Sequence, residues 1–172
     1  MSLGLVCASH APLLDHGGAP AEVESDFREA YRRIGVWVEE FAPDLVIQLW
    51  PDHFNGFFYD VMPSFCLGTQ ARSIGDWGTT EGSLPVAEAE AMDLFADIRE
   101  AGIDIALSHG MTVDHGYMQM WNLMLGRAPT YPVIPIFINC AAPPLPAYRR
   151  VRLLGEAIGR YAAASGKRVL IA

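Results

Sequence analysis

Apolar residues along this chain follow two alternating rhythms. Short apolar runs of strand length cover 3–8, 45–49, 103–107, 133–138 and 169–172, each bounded by polar, Gly or Pro positions. Between them, apolar residues recur at three- and four-residue steps. Val23, Phe27, Tyr31, Ile34, Val38 and Phe41 do so within 20–41. Ala89, Met92, Leu94, Phe95 and Ile98 do so within 85–101, and Val151, Leu154, Ile158 and Tyr161 within 146–164. That spacing lines one face of a helix. Pro20 suits a first helical turn, and Gly102 and Gly166 suit the position just past a last one. Residues 118–125 read as a shorter helix closed by Gly126. Strands alternating with helices predict an α/β fold, a mostly parallel sheet flanked by helices, in a single domain over residues 1–172. A further strand is expected over 61–68, confined to an edge or broken by Pro63. Residues 69–82 place Gly75, Gly78 and Gly82 beside Asp76 and Trp77. They read as a long loop, and long loops in compact domains are often functional.

Ligands of open α/β sheets bind beyond the carboxyl ends of the strands. The histidines obey that rule: His10 follows the first strand, His53 the second, and His109 and His115 the third. A lone histidine is more often structural than functional, so it is the shared rim that points to a site. Pro51 stops the second strand, and the turn after it sets Asp52, His53 and Asn55 among aromatic rings. Two neutral imidazoles and one carboxylate form the two-His-one-carboxylate arrangement that leaves Fe(II) with open positions. His10 and His53 are the best ligand candidates, with Asp52 or Asp114 as conceivable internal carboxylates. His115 stands between Asp114 and Gly116 and suits general acid–base work near neutral pH. His109 is expected to be a satisfied structural residue, and His16, in a Gly-rich loop, to be solvent-exposed. Two other classes stay open: a zinc-dependent hydrolase on a two-His site, and a non-catalytic module that associates with a partner chain.

Composition narrows the field. The 172 residues carry a net charge of −8 with no Lys/Arg cluster, which disfavours nucleic acid and anionic membranes as partners. No run of 18 or more apolar residues suggests a membrane span, and the first residues lack a basic leader, so a cytoplasmic protein is expected. Cys7, Cys66 and Cys140 are odd in number and far apart, which predicts reduced core thiols rather than a disulfide framework or a zinc ribbon. The signatures of a serine-hydrolase elbow, a phosphate-binding loop, a dinucleotide fold and an H-E-x-x-H metalloprotease are missing.

Several blocks together carry a resemblance. They are Ser9-His10-Ala11-Pro12, the run from Pro51-Asp52-His53 through Pro63, Phe65-Cys66-Leu67-Gly68, Val113-Asp114-His115-Gly116, Pro135-Ile136-Phe137-Ile138-Asn139 and residues 154–160. The chain resembles the class III (type II) extradiol ring-cleavage dioxygenases, of the protocatechuate 4,5-dioxygenase beta-subunit superfamily. The resemblance implies a non-haem Fe(II) enzyme that cleaves a catechol such as 3-(2,3-dihydroxyphenyl)propionate with O2 to a 2-hydroxy-6-oxo-dienoate, in aromatic catabolism. It implies His10 and His53 as iron ligands, His115 as the acid–base residue and Asp114 as the group that orients His115. Asn55, Phe57 and Tyr59 would line the substrate's ring. Members of that family continue beyond a strand like the one at 168–172, into a Gly-rich turn with a second histidine and then a glutamate ligand. The chain is therefore expected to be the N-terminal part of such an enzyme. The alternative is a catalytically incomplete relative that only binds metal or associates with a partner. Multimers are usual in the family, and an apolar last strand at a sheet edge would invite pairing, so a homo-oligomer is expected.

Overall fold

The chain folds into three layers, and each helix lies where its apolar face requires. In the computed structural model, which describes residues 2–11, 14 and 18–172, the elements alternate. They are β1 (Ser2–Leu5), α1 (Ala21–Phe41), β2 (Leu45–Trp50), β3 (Phe65–Gly68), β4 (Ala71–Ser73), β5 (Gly82–Ser83), α2 (Glu88–Glu100), β6 (Ala106–Ser108), β7 (Met111–Val113), α3 (His115–Leu125), β8 (Val133–Ile138), α4 (Tyr148–Ala164) and β9 (Arg168–Ile171). Six strands form the central sheet in the order β1-β9-β2-β8-β3-β6, and β5-β4-β7 form a small second sheet.

Strand residues alternate between the faces, as a two-residue repeat demands. Val46, Trp50, Val133 and Phe137 pack with Tyr31 and Val38 of α1 and with Tyr117, Met118, Trp121 and Met124 of α3. Leu45, Ile47, Ile134 and Ile136 face the other way, onto Leu94 and Ile98 of α2 and Leu154 and Ile158 of α4. Each such side chain taken wholly out of water contributes about 1.5–3 kcal/mol before the entropy of ordering it. Gln48, the one polar side chain in β2, is buried but satisfied: it donates to the Tyr117 carbonyl at 2.9 Å and accepts the Trp121 indole N–H at 2.7 Å.

The sheet is mostly parallel, as expected, with one antiparallel step. β1, β9, β2 and β8 run parallel. β3 pairs antiparallel with β8, and β6 runs parallel to β3. Pro63 does not confine β3 to an edge; it falls before the strand, which lies between β8 and β6. The last strand is not an edge either, because β9 is held between β1 and β2. The expected third main strand is shortened to β6, and the chain turns through Ser108–Gly110 into β7. The 69–82 loop holds β4, β5 and a 3-10 turn at Asp76–Gly78. β1 stops at Leu5, α2 starts only at Glu88, and α3 starts three residues early, at His115.

These reversals decide which histidines meet. The carboxyl ends of β3 and β6 lie at the rim opposite that of β2. His109, just past β6, is exposed and shares a 2.8 Å hydrogen bond with Thr69. β7 starts beside it, with Met111 N–H donating to the Gln70 carbonyl, and runs back to deliver Asp114 and His115 to the rim of His53. His109 is a satisfied structural residue, but it does not share the rim of the other three.

Candidate metal centre

Three segments far apart in sequence build the site. The backbone on either side of His10 is clamped by two helices. Tyr31 of α1 donates to the Ser9 carbonyl at 2.5 Å, while Gln119 of α3 accepts from Ala11 N–H at 2.6 Å and donates to the Ala11 carbonyl at 2.9 Å. His53 sits in the turn after β2. Asp52 organises that turn: its buried carboxylate accepts the N–H groups of Asn55, Gly56 and Phe57 at 3.0–3.1 Å. Burial pushes the Asp52 carboxyl above its ordinary range, against the pull of those N–H donors. This carboxylate is committed to backbone, so the sequence expectation that it could complete a metal site is not met.

Asp114, 0% exposed, joins the second segment to the third. Its Oδ2 lies 2.9 Å from both the backbone N and the Nδ1 of His53 and accepts from Asn55 Nδ2 at 3.1 Å. Its Oδ1 accepts the Gly116 N–H at 2.9 Å and caps α3. Asp114 thus orients His53, whereas the resemblance had it orient His115. The partner of His115 is Asp76, whose Oδ2 lies 2.5 Å from His115 Nδ1. The other oxygen, Asp76 Oδ1, is buried with no hydrogen-bond partner among the described residues.

The three rings converge. Ring centroids are 4.7 Å apart for His10 and His53, 4.5 Å for His53 and His115, and 5.7 Å for His10 and His115. One ring nitrogen of each lies within 4.8 Å of the others. Burial, and then the neighbouring rings of His53 and His115, hold the His10 imidazolium below its usual pKa, which favours the neutral, ligating form. With Nδ1 of His53 and of His115 resting on carboxylates, Nε2 of each ring is left for a ligand. Metal-binding histidines are typically oriented this way. Imidazole donors suit Fe, Zn, Cu and Ni, so the residues fit a transition-metal ion. A cavity of about 310 Å³ opens beside His10, lined by Val6, Gln48, Pro51, Gly116 and Met120 among others.

Comparison with known proteins places the chain in a family. Residues 4–172 match the family of the catalytic LigB subunit of aromatic ring-opening dioxygenase. The chain belongs to the LigB family. It is 47% identical over 170 residues to a 2,3-dihydroxyphenylpropionate/2,3-dihydroxicinnamic acid 1,2-dioxygenase 2 of Pseudomonas putida, covering 99% of this chain and 54% of that protein. It is 49% identical over 169 residues to a 2,3-dihydroxyphenylpropionate/2,3-dihydroxicinnamic acid 1,2-dioxygenase of Mycobacterium sp. (strain MCS), covering 98% of this chain and 54% of that protein. The chain spans about half the length of the curated relatives it matches.

In this LigB chain the site gathers His10, His53, His115, Asp114 and Asn55, all named from the sequence. It does not gather Phe57 and Tyr59. Phe57 stacks on Phe137 with centroids 4.0 Å apart, and Tyr59, 65% exposed, lies against Phe54. His16 lies outside the described residues. Sequence reasoning marked the Gly-rich stretch around Asp76 as functional but did not single out Asp76, since nothing local pairs it with a histidine 39 positions away. Gln119 was missed for the same reason. Of the three thiols, only Cys66 is in the core; Cys7 and Cys140 are exposed, and all three are free. Among the described residues, no helix is long and apolar enough to cross a membrane.

Proposed function

We propose that this chain carries the metal-binding and proton-transfer residues of an extradiol catechol dioxygenase. The enzyme would use Fe(II) and O2 to open the ring of 3-(2,3-dihydroxyphenyl)propionate or a close analogue, giving a 2-hydroxy-6-oxo-dienoate. The observation that carries this reading is the convergence of three imidazoles, two of them seated on carboxylates, at one rim of a LigB fold. The names of the curated relatives support the choice of substrate.

In this proposal His10 and His53 hold the Fe(II). When bound, the ion supplies a Lewis-acidic template for the catechol oxygens and the redox chemistry that O2 requires. Asp114 keeps the His53 ring facing inward and spares it from tautomer exchange. His115 moves the proton: with Nδ1 committed to Asp76, its Nε2 takes a proton from a catechol hydroxyl and returns it as the ring opens. The working protein is a cytoplasmic homo-oligomer. The edge strand β1, with Leu3 and Leu5 exposed, is the surface that suits self-pairing, and sedimentation would measure it.

The test is anaerobic loading with Fe(II), addition of the catechol, then O2, following ring-fission absorbance and iron content. H10A and H53A should lose bound iron, and H115A should keep iron and lose turnover. Iron retained by both H10A and H53A would refute the assignment. One feature favours a second reading, in which the chain binds metal without turnover and relies on a partner. The carboxylates beside the histidines, Asp114 and Asp76, each already rest on a histidine Nδ1. Bound iron with no coloured product would select that reading.

A further inference from the structure

Carboxylates set the rings of His53 and His115, through Asp114 and Asp76 at Nδ1, but no such group sets His10. Among the described residues, His10 takes part in hydrogen bonding only through its carbonyl, which accepts from Ser9 Oγ at 3.2 Å. Regular structure does not fix it either. β1 stops at Leu5, and the last ladder bond on this side runs from Val6 N–H to the Ile171 carbonyl at 2.9 Å. Among the described residues, no backbone–backbone hydrogen bond involves residues 7–10. Backbone of that kind opens locally at little cost unless side chains hold it.

Gln119 holds it at two points. Its Oε1 accepts the Ala11 N–H at 2.6 Å and its Nε2 donates to the Ala11 carbonyl at 2.9 Å. A planar amide that meets both polar groups of one residue satisfies them as a neighbouring strand would. Gln119 follows His115 by four positions on α3, so the two side chains stand one turn apart on one face. Asp114 caps the same helix and holds His53. The start of α3 therefore reaches all three rings: His53 through Asp114, His115 directly, and His10 through Gln119. Tyr31 secures the Ser9 carbonyl from α1, so it is Gln119 that ties His10 to the support of the other two.

We propose that Gln119 is a positioning residue of the metal centre. Its amide does for His10, through the backbone, what the carboxylates do for His53 and His115 through the ring, and so sets the affinity for the ion. The proposal rests on the metal-site reading above.

The test is Co(II) titration against a competing chelator, with thermal melting and, in the metal-free chain, the NOE between the His10 and His53 rings, whose centroids are 4.7 Å apart. Q119M keeps the length of the side chain and its helix preference but removes the amide. It should bind Co(II) about 10- to 100-fold more weakly and lose the ring-to-ring NOE. Q119A should behave alike and serves if Q119M folds poorly. L94A, in the core layer on the other face of the sheet, is the control for general loosening. It should melt earlier than wild type, keep the NOE and bind Co(II) within about twofold of wild type. Wild-type Co(II) affinity in both Q119M and Q119A would overturn the proposal, as would an affinity loss in L94A equal to that in Q119M, or an NOE of wild-type strength in Q119M. If the wild type itself fails to bind Co(II), the metal-site reading falls and takes this proposal with it.

Discussion

Replacing Gly116 with alanine probes the closest approach in the site. A Cβ there would stand 2.8 Å from His53 Cε1, 2.8 Å from the Pro51 carbonyl oxygen and 3.0 Å from Asp114 Oδ1. Ordinary contact begins near 3.4 Å, so up to 0.6 Å must be found. Two of the three neighbours yield little. The Pro51 oxygen is backbone just past β2, and Asp114 Oδ1 is held by the N–H of residue 116 itself. The group left to move is the His53 ring, which can swing only by disturbing its contact with Asp114 Oδ2. Overpacking of this kind costs about 1–3 kcal/mol. For a chain of this size that is a fall in Tm of about 2–12 °C. Misaiming a ligand by loss of its carboxylate typically weakens metal binding about 10- to 100-fold. Melting, with Co(II) titration against a competing chelator, would measure both effects. G155A in α4 is the control: nothing lies within 4 Å of an added Cβ there, and exchanging a helical glycine for alanine gains about 0.5–1 kcal/mol. A G116A protein with wild-type melting and wild-type Co(II) affinity would refute the claim that glycine is needed to let His53 and Asp114 meet over α3.

Three further outcomes follow from the structure. Q48L should lower stability by about 1–3 kcal/mol in urea unfolding, because the buried Trp121 indole N–H loses its acceptor; unchanged stability would show that the β2–α3 bridge carries nothing. Asp44 is held down to about 2 by the Arg168 side chain and then by its backbone N–H. A folded pKa below the unfolded one means that the stabilisation is complete above about pH 4 and is lost as pH falls through about 2. D44N should therefore lower Tm above about pH 4, where wild type has the full stabilisation, and flatten the acid limb between about pH 4 and 2 so that the two profiles converge there; a profile overlaying that of wild type throughout would contradict this. Burial pushes the Cys66 thiol up to about 12, so iodoacetamide at pH 8 should modify exposed Cys7 and spare Cys66 until the chain unfolds, as peptide mass spectrometry would read. Native-state labelling of Cys66 at the rate of Cys7 would refute that.

The elements legible in the sequence were those whose signal is local. The three-and-four-residue repeat of Val23, Phe27, Tyr31, Ile34 and Val38 gives α1 to within a residue, and the apolar run at 133–138 gives β8 without error, because periodicity is a property of neighbouring positions. The start of α3 was missed because nothing periodic marks it. What starts that helix is the Asp114 cap, and the same carboxylate also holds His53. Its second job lies 61 positions away and leaves no trace in the local pattern.

Strand direction was the larger omission, and it changes how the site is understood. An apolar run reads the same in either direction, so β3 and β6 were assigned to a parallel sheet in which His109 and His115 would share a rim with His53. In fact β3 is antiparallel to β8. Had the chain continued past Ser108 without turning, both histidines would lie at the wrong rim. The reversal at Ser108–Gly110 and the return through β7 are what carry Asp114 and His115 across. Gly56, in the His53 turn, makes that return possible: a Cβ there would stand 2.6 Å from the Thr112 carbonyl oxygen in β7. The histidine cluster therefore depends on two close backbone approaches, at Gly56 and at Gly116, that bring the β2 turn and the β7–α3 junction together. A sequence shows the glycines and the histidines; only the reversed strand explains why they must come together.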